Sequence, residues 1–311
     1  MVTKNVKKVS FIERNNCITC DSKKLHVLDK GFFGEEPHRS MFLNSPWGES
    51  PLPYLENCEW TLVQCMDCKQ IFHQKILSPE WEEVRFNKWM TADAIHRFEI
   101  IHGTTTPAAI FNKGRKNIDH LLCLEKLTRS LRKENETLKI LDFGCGWGDF
   151  IALGEMLGFE TYGIDAHAAR RHDNKKKNIF SNFKDFIFET DKKMHAITLF
   201  QVLEHLHEPK KILSSAFDCL IPSGILILEV PDCSNITKIK TQKDLIISGI
   251  DHINGFTPQT LRKIAKKSGF TQIRQPIAHI SADLKRIIKR EQKRYARYLI
   301  GSSTNLYFRR E

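Results

Sequence analysis

Lys139-Ile-Leu-Asp-Phe-Gly-Cys-Gly-Trp-Gly-Asp149 decides how this chain is read. Ile140, Leu141 and Phe143 have the apolar character of a short buried strand, and a helix is expected from about Phe150. Between them Gly144, Gly146 and Gly148 supply the backbone freedom of a strand-to-helix turn and let a ligand approach the main chain closely. One strand further on, Tyr162-Gly-Ile-Asp165 ends in a carboxylate at the spacing that grips both hydroxyls of a ribose. Together these features specify a nucleoside-cofactor site.

The glycine spacing selects among cofactors. Dinucleotide sites favour G-x-G-x-x-G beside a pyrophosphate, whereas this turn is G-x-G-x-G with Asp142 just before it. A carboxylate at that strand end suits a cationic amino-acid moiety and repels a pyrophosphate. The segment resembles motif I of the class I S-adenosylmethionine-dependent methyltransferases. The resemblance continues through Gly163-Ile-Asp165, Phe200 to Leu206, Pro222 to Asp232 and Phe256 to Leu261, in the family's order. It implies an α/β, Rossmann-like fold with a seven-stranded sheet. Asp142 would lie near the donor's amino-acid end, the Gly144 and Gly146 backbones would approach the donor, and Asp165 would hold its ribose. Gln201 and Leu203, after the fourth strand, would line the donor pocket.

Composition bounds the rest. A chain of 311 residues is long enough for about two domains. No apolar run approaches the roughly 18–20 residues of a membrane span, and Met1 to Asn16 lacks the apolar core of a signal peptide. The expected location is the cytoplasm. Nine cysteines, an odd number, argue for reduced thiols and metal ligation over a disulfide framework.

The net charge of +11 is unevenly spread. Lys285, Arg286, Lys289, Arg290, Lys293, Arg294 and Arg297 face only Glu291, while Leu284, Ile287, Ile288, Tyr295, Tyr298 and Leu299 recur at helical spacing. This predicts an amphipathic basic helix over 282–299. It is either a solvated surface or a face for an anionic substrate, nucleic acid or lipid. A second basic cluster, Arg170 to Lys177, reads as a helix end with lysines at its negative pole.

Three regions are expected: a zinc-binding domain over 1–85, a helical connector over 86–136 and a methyltransferase domain over 137–311. The connector carries an apolar stripe of Ile118, Leu121, Leu122, Leu124 and Leu131. From Leu138 onward strands alternate with helices, implying a parallel sheet covered on both faces. Strands are expected near 138–143, 160–164, 184–188, 195–200, 225–230 and 271–278, with a helix over 257–267. By the resemblance, a last strand over 304–309 pairs antiparallel with the sixth, so the basic helix is inserted before it.

Cys17-Ile-Thr-Cys20 and Cys65-Met-Asp-Cys68 can each present two thiolates from one tight turn, and two such turns complete a structural tetrahedral Zn²⁺ shell. The 44 residues between the pairs exceed the roughly 15–20 of a compact ribbon. A loop marked by Pro37, Pro46, Pro51 and Pro53 is therefore inserted, and Cys58 and His26 are reserve ligands. The arrangement resembles methyltransferases with an N-terminal zinc-binding domain, several of which methylate nucleotide-linked deoxysugars. The best-known members append a further C-terminal domain, whereas this chain ends soon after its expected last strand.

A sulfonium donor is already activated, so the protein aligns the acceptor and excludes water; a hydroxyl acceptor also needs a base. His205 and Glu204, in the motif after the fourth strand, and His252, in the connection after the fifth, are the candidates. Met194-His195 stands where many relatives have Phe-Asp, a local change at a structural position. Cys145 and Cys233 read as packing residues. The expected acceptor is a small molecule, anionic in one reading: a sugar, a nucleotide-linked sugar or a related metabolite. The alternatives are an RNA methyltransferase and a non-catalytic, zinc-dependent module that binds S-adenosylmethionine.

Overall fold

The computed structural model describes residues 8–167, 178–278 and 284–311. The cluster Arg170 to Lys177 and the first two residues of the expected basic helix lie outside them. In chain order the strands of the described residues are β1 (Phe11–Glu13), β2 (Leu25–Phe32), β3 (Glu59–Cys65), β4 (Ile71–His73), β5 (Lys75–Leu77), β6 (Lys139–Phe143), β7 (Glu160–Ile164), β8 (Ile179–Phe180), β9 (Met194–Phe200), β10 (Leu220–Glu229), β11 (Asn254–Gly255), β12 (Phe270–Ile273) and β13 (Asn305–Arg310). The chain folds as two compact units. One holds the residues up to Thr104 together with Glu204–His207 and Cys233–Thr257; the other holds Thr105–Leu203, Glu208–Asp232 and Pro258–Glu311.

The second unit is built on a seven-stranded sheet in the order β12-β13-β10-β9-β6-β7-β8. Strands β8, β7, β6, β9 and β10 run parallel, and β13 is antiparallel to both β10 and β12. This is the expected class I methyltransferase sheet. Its central strands are covered on both faces, so they read as nearly unbroken apolar runs: Met194 to Leu199 are all buried. Helix Pro107–Thr128 starts at Thr106, whose side chain accepts from the Ala109 amide, with proline in the first turn. It sends Leu121 and Leu124 into a core shared with Ile140, Phe150, Ala196 and Ile227.

One expected strand is a helix. Residues 184–188 lie within Phe183–Thr190, which Asn182 caps by accepting from the Asp185 amide at 2.9 Å. Phe183 stacks on Phe143 and Phe186 packs edge-on to Tyr162, while Phe188 is 88% exposed. Burial therefore follows the three-to-four residue period of a helix. The basic helix spans Leu284–Ile300, and the expected apolar face is not buried: Leu284, Ile288 and Leu299 are all exposed.

The first unit carries an antiparallel four-stranded sheet, β11-β4-β3-β2, and the pair β1-β5. The residues between the two cysteine pairs contain two short helices, His38–Asn44 and Leu52–Leu55. They place Phe42, Leu52 and Leu55 in a core with Trp60, Trp81 and Trp89, to which Ile236, Ile247 and Ile250 also belong.

Candidate functional site

The glycine turn of the second unit has the geometry its sequence demands. Gly144, Gly146 and Gly148 have φ of +78°, +54° and +80°, the left-handed region that glycine enters without steric cost. A Cβ on Gly144 would lie 2.3 Å from Val202 Cγ2. Asp165 closes the turn: its Oδ2 accepts from the Gly146 amide at 2.9 Å and its Oδ1 from His167 at 2.8 Å. Under the turn, Cys145 Sγ packs where a Cβ on Gly163 would be, 2.6 Å away, which accounts for both residues as packing partners.

Asp142 and Asp165 are both buried. Burial pushes the Asp142 carboxyl up to about 7; the Thr198 hydrogen bond opposes the rise and the Asp165 charge adds to it. Two carboxylates beside a backbone cradle form a site short of positive charge. A ligand with a cationic amino-acid group and a ribose supplies what the site lacks, so these residues fit S-adenosylmethionine.

At the end of β9, Gln201 takes φ of +57°. Its amide donates to Glu229 O at 2.8 Å and its side chain to Glu229 Oε1 at 3.2 Å. Leu203 is fully buried. Glu229 also accepts from Lys116 and Asn305.

The three candidate bases lie together in the first unit. Glu204, His205 and His252 each offer a ligand-type atom within 4.8 Å of the others, and the two imidazoles meet edge-on at 4.6 Å. His205 Nδ1 is 2.9 Å from Asp251 Oδ1; His252 Nδ1 is 2.8 Å from Ile246 O. Donation from each Nδ1 leaves each Nε2 as an acceptor. Arg85, itself buried, pairs with Asp251 at 2.7 Å and with Glu82 at 2.8 Å. Burial favours neutral imidazole at both histidines, yet Asp251 outweighs it at His205, whose pKa is raised. At His252 burial prevails, with His205 and Arg85 adding to it, and the pKa is lowered. Neighbouring titratable groups driven apart in this way suit proton transfer.

The cysteine pairs meet as expected. Sγ atoms of Cys17 and Cys68 are 3.4 Å apart, those of Cys20 and Cys65 3.5 Å, and all four lie within 4.8 Å of one another. A tetrahedral shell with Zn–S near 2.3 Å has sulfur–sulfur edges of about 3.8 Å, so the set fits Zn²⁺. Each knuckle ends in a left-handed non-glycine residue, Asp21 at φ +62° and Lys69 at φ +70°. The reserve ligands are elsewhere: Cys58 donates to Tyr54 O, and His26 is exposed opposite Gln64 on β2.

Four residues of these sites carry little sequence signal of their own. Thr198 hides in an apolar strand, and Glu229 looks like a strand terminus. Arg85 shows no local pattern. Asp251 adjoins His252, and that adjacency is its one sequence signal. His195 accepts from the Lys139 amide at 3.1 Å and lies 3.6 Å from Glu136, so it ties together the starts of the neighbouring strands β9 and β6.

Residues 115–275 match the family described as "Methyltransferase domain". A ubiquinone biosynthesis O-methyltransferase of Rickettsia conorii (strain ATCC VR-613 / Malish 7) is 23% identical over 172 residues, 53% of this chain and 58% of that protein. One of the same name from Glaesserella parasuis serovar 5 (strain SH0165) is 30% identical over 141 residues, 41% of this chain and 58% of that protein. The chain thus spans less than two thirds of these curated relatives, at 58% of each. Among solved structures, a SAM-dependent methyltransferase from Archaeoglobus fulgidus aligns with 60% of this chain and 91% of its own, at 21% identity and a TM-score of 0.37. No helix of the described residues is long and apolar enough to cross a membrane.

Proposed function

The chain belongs to the methyltransferase-domain family, and from that premise we propose that it transfers a methyl group from S-adenosylmethionine to a small-molecule acceptor. The observation that carries this reading is the Gly144–Gly148 turn held between two buried carboxylates, Asp142 and Asp165. In the proposed assignment Asp142 faces the donor's amino-acid end, Asp165 takes the ribose hydroxyls, and the Gly144 and Gly146 backbones lie along the donor. Gln201 and Leu203 complete its surroundings. The donor, when bound, supplies a methyl group already activated for in-line attack.

His205 is the proposed base. Asp251 orients its imidazole and leaves Nε2 to accept the acceptor's proton, and His252 and Glu204 flank it. Zn²⁺ on Cys17, Cys20, Cys65 and Cys68 is a structural ion in this reading, because four protein ligands leave no open position. The domain division that accompanies it is a zinc-binding domain over 1–85, a connector over 86–136 and a methyltransferase domain over 137–311.

The finer acceptor class is a sugar, a nucleotide-linked sugar or a related metabolite, on the resemblance to zinc-bearing sugar methyltransferases. The names of the curated relatives favour oxygen as the accepting atom. The test is incubation with methyl-labelled donor and separate pools of sugar nucleotides, phenols and RNA, read by mass spectrometry. A labelled small molecule that depends on Asp165 supports the proposal. Labelled RNA, or donor binding with no labelled product in any pool, overturns it.

A further inference from the structure

The second unit contains a cavity of about 270 Å³ lined by helix Leu284–Ile300, strands β12 and β13 and helix Pro107–Thr128. Its wall is strongly cationic. Arg274, Arg290, Lys293, Arg294, Arg297 and Lys116 line it beside two acidic residues, Asp119 and Glu291, and Lys116 also pairs with Glu229.

Three of these cations are held in place. Arg290 Nη2 lies 2.6 Å from Oδ2 of buried Asp119. Arg294 donates to Pro276 O at 2.8 Å and pairs with Glu291 at 2.7 Å. Arg274 sits over the Tyr295 ring at 4.5 Å. A guanidinium has five N–H donors, so one anchoring contact leaves others for a ligand. Lys293 and Arg297 have no carboxylate partner among the described residues and are exposed to solvent.

Buried His120 registers the excess charge. Its pKa is lowered to about 3 by burial and then by the cations Lys116, Arg290 and Arg294. Positive charge crowded around a concave site, with anchored forks and a polar floor, matches a ligand bearing several anionic oxygens.

We propose that this cavity binds the phosphate group of a small phosphorylated molecule, with Arg274, Arg290 and Arg294 as fixed donors and Lys293 and Arg297 as outer charges. The size favours a compact ligand over a polynucleotide, which would need an extended track of cations. The site also adjoins the strand ends that carry the donor residues. Lys116 and Asn305 line it and both bond Glu229, which accepts from Gln201 as well. The inference is independent of the methyl-transfer reading, since its test needs neither donor nor acceptor.

The experiment is calorimetric titration of the full chain with inorganic pyrophosphate, with melting curves as a control for folding. Saturable binding with Kd below about 1 mM is expected. The double charge reversal K293E/R297E, confined to exposed side chains, should weaken binding about tenfold or more without lowering the melting temperature. R274Q is a second variant expected to weaken binding. No saturable binding, or wild-type affinity in both variants, overturns the proposal. So does tight binding of an RNA oligonucleotide, steeply salt-dependent, that pyrophosphate fails to displace. Vesicles of phosphatidylcholine with phosphatidic acid separate the sources: binding that pyrophosphate displaces identifies a lipid headgroup, and no vesicle binding identifies a soluble phosphate.

Discussion

The Thr198 hydroxyl donates to Asp142 Oδ1 at 2.6 Å across directly paired positions of β9 and β6. Burial nonetheless lifts the Asp142 carboxyl from its ordinary value of 3.8 to about 7. The folded state then retains a proton that the unfolded chain has released. This group's contribution to stability accordingly falls as pH rises from about 4 to about 7, and the ionised form that attracts a cation accumulates over the upper part of that range. Affinity for S-adenosylmethionine should rise between pH 6 and 8, while D142N should bind more weakly and without that slope. Calorimetry across this range checks it; a flat wild-type profile counts against the role given to Asp142.

Gly144 tolerates no side chain. Its φ of +78° and the 2.3 Å approach to Val202 Cγ2 act together, so G144A should cost about 1–3 kcal/mol of stability. It should also abolish measurable donor binding. An unchanged melting temperature together with wild-type donor affinity would show that the turn is not a constrained cradle.

Asp165 holds the turn as well as the proposed ribose position, through Gly146 and His167. D165N keeps its size but loses its charge and some of its acceptor capacity. It should weaken donor binding by about tenfold to a hundredfold, the range of one or two charge-assisted hydrogen bonds. Retention of full affinity in an equilibrium measurement would remove Asp165 from the site.

His205 is the more basic of the two neighbouring imidazoles because Asp251 outweighs its burial. Its protonated form should therefore persist to higher pH than that of His252, whose pKa is lowered. D251N should shift the His205 titration to lower pH, followed by NMR of labelled histidine. Coincident titrations of the two rings in the wild type would contradict this ordering.

Metal analysis should find one zinc ion per chain, and C65S or C68S should lose it. Loss of the ion should lower the melting temperature, because burying four thiolates requires a neutralising cation. A stoichiometry near zero in protein purified without chelator would argue that the cysteines are only packed thiols.

The donor edge was legible because its constraints are local. Three left-handed backbone positions call for three glycines, and Asp142 and Asp165 stand at strand ends that apolar runs announce. The cysteine knuckles are local too. What escaped is long-range or masked by composition. Asp251 reaches His205 across 46 positions, and Glu229 gathers Lys116, Gln201 and Asn305 from three separate elements. The helix Phe183–Thr190 reads as a strand in sequence because Phe-Lys-Asp-Phe-Ile-Phe is rich in aromatic residues favoured in strands. The capping Asn182 is the local signal that marks it as a helix.

The two-residue strand β11 closes the N-terminal sheet against β4, and Arg14 Nη1 donates to Asn254 Oδ1 at 2.7 Å beside it. During synthesis the cysteine ligands and most of the first unit emerge by Thr104, but this edge is still uncovered, and Ile247 and Ile250 are missing from its core. At about 5–20 residues per second, the remaining stretch to Thr257 takes roughly eight to thirty seconds to appear. The first part of the protein to be made therefore cannot finish folding until most of the second unit has been translated, and a nascent chain must protect an open sheet edge in the meantime.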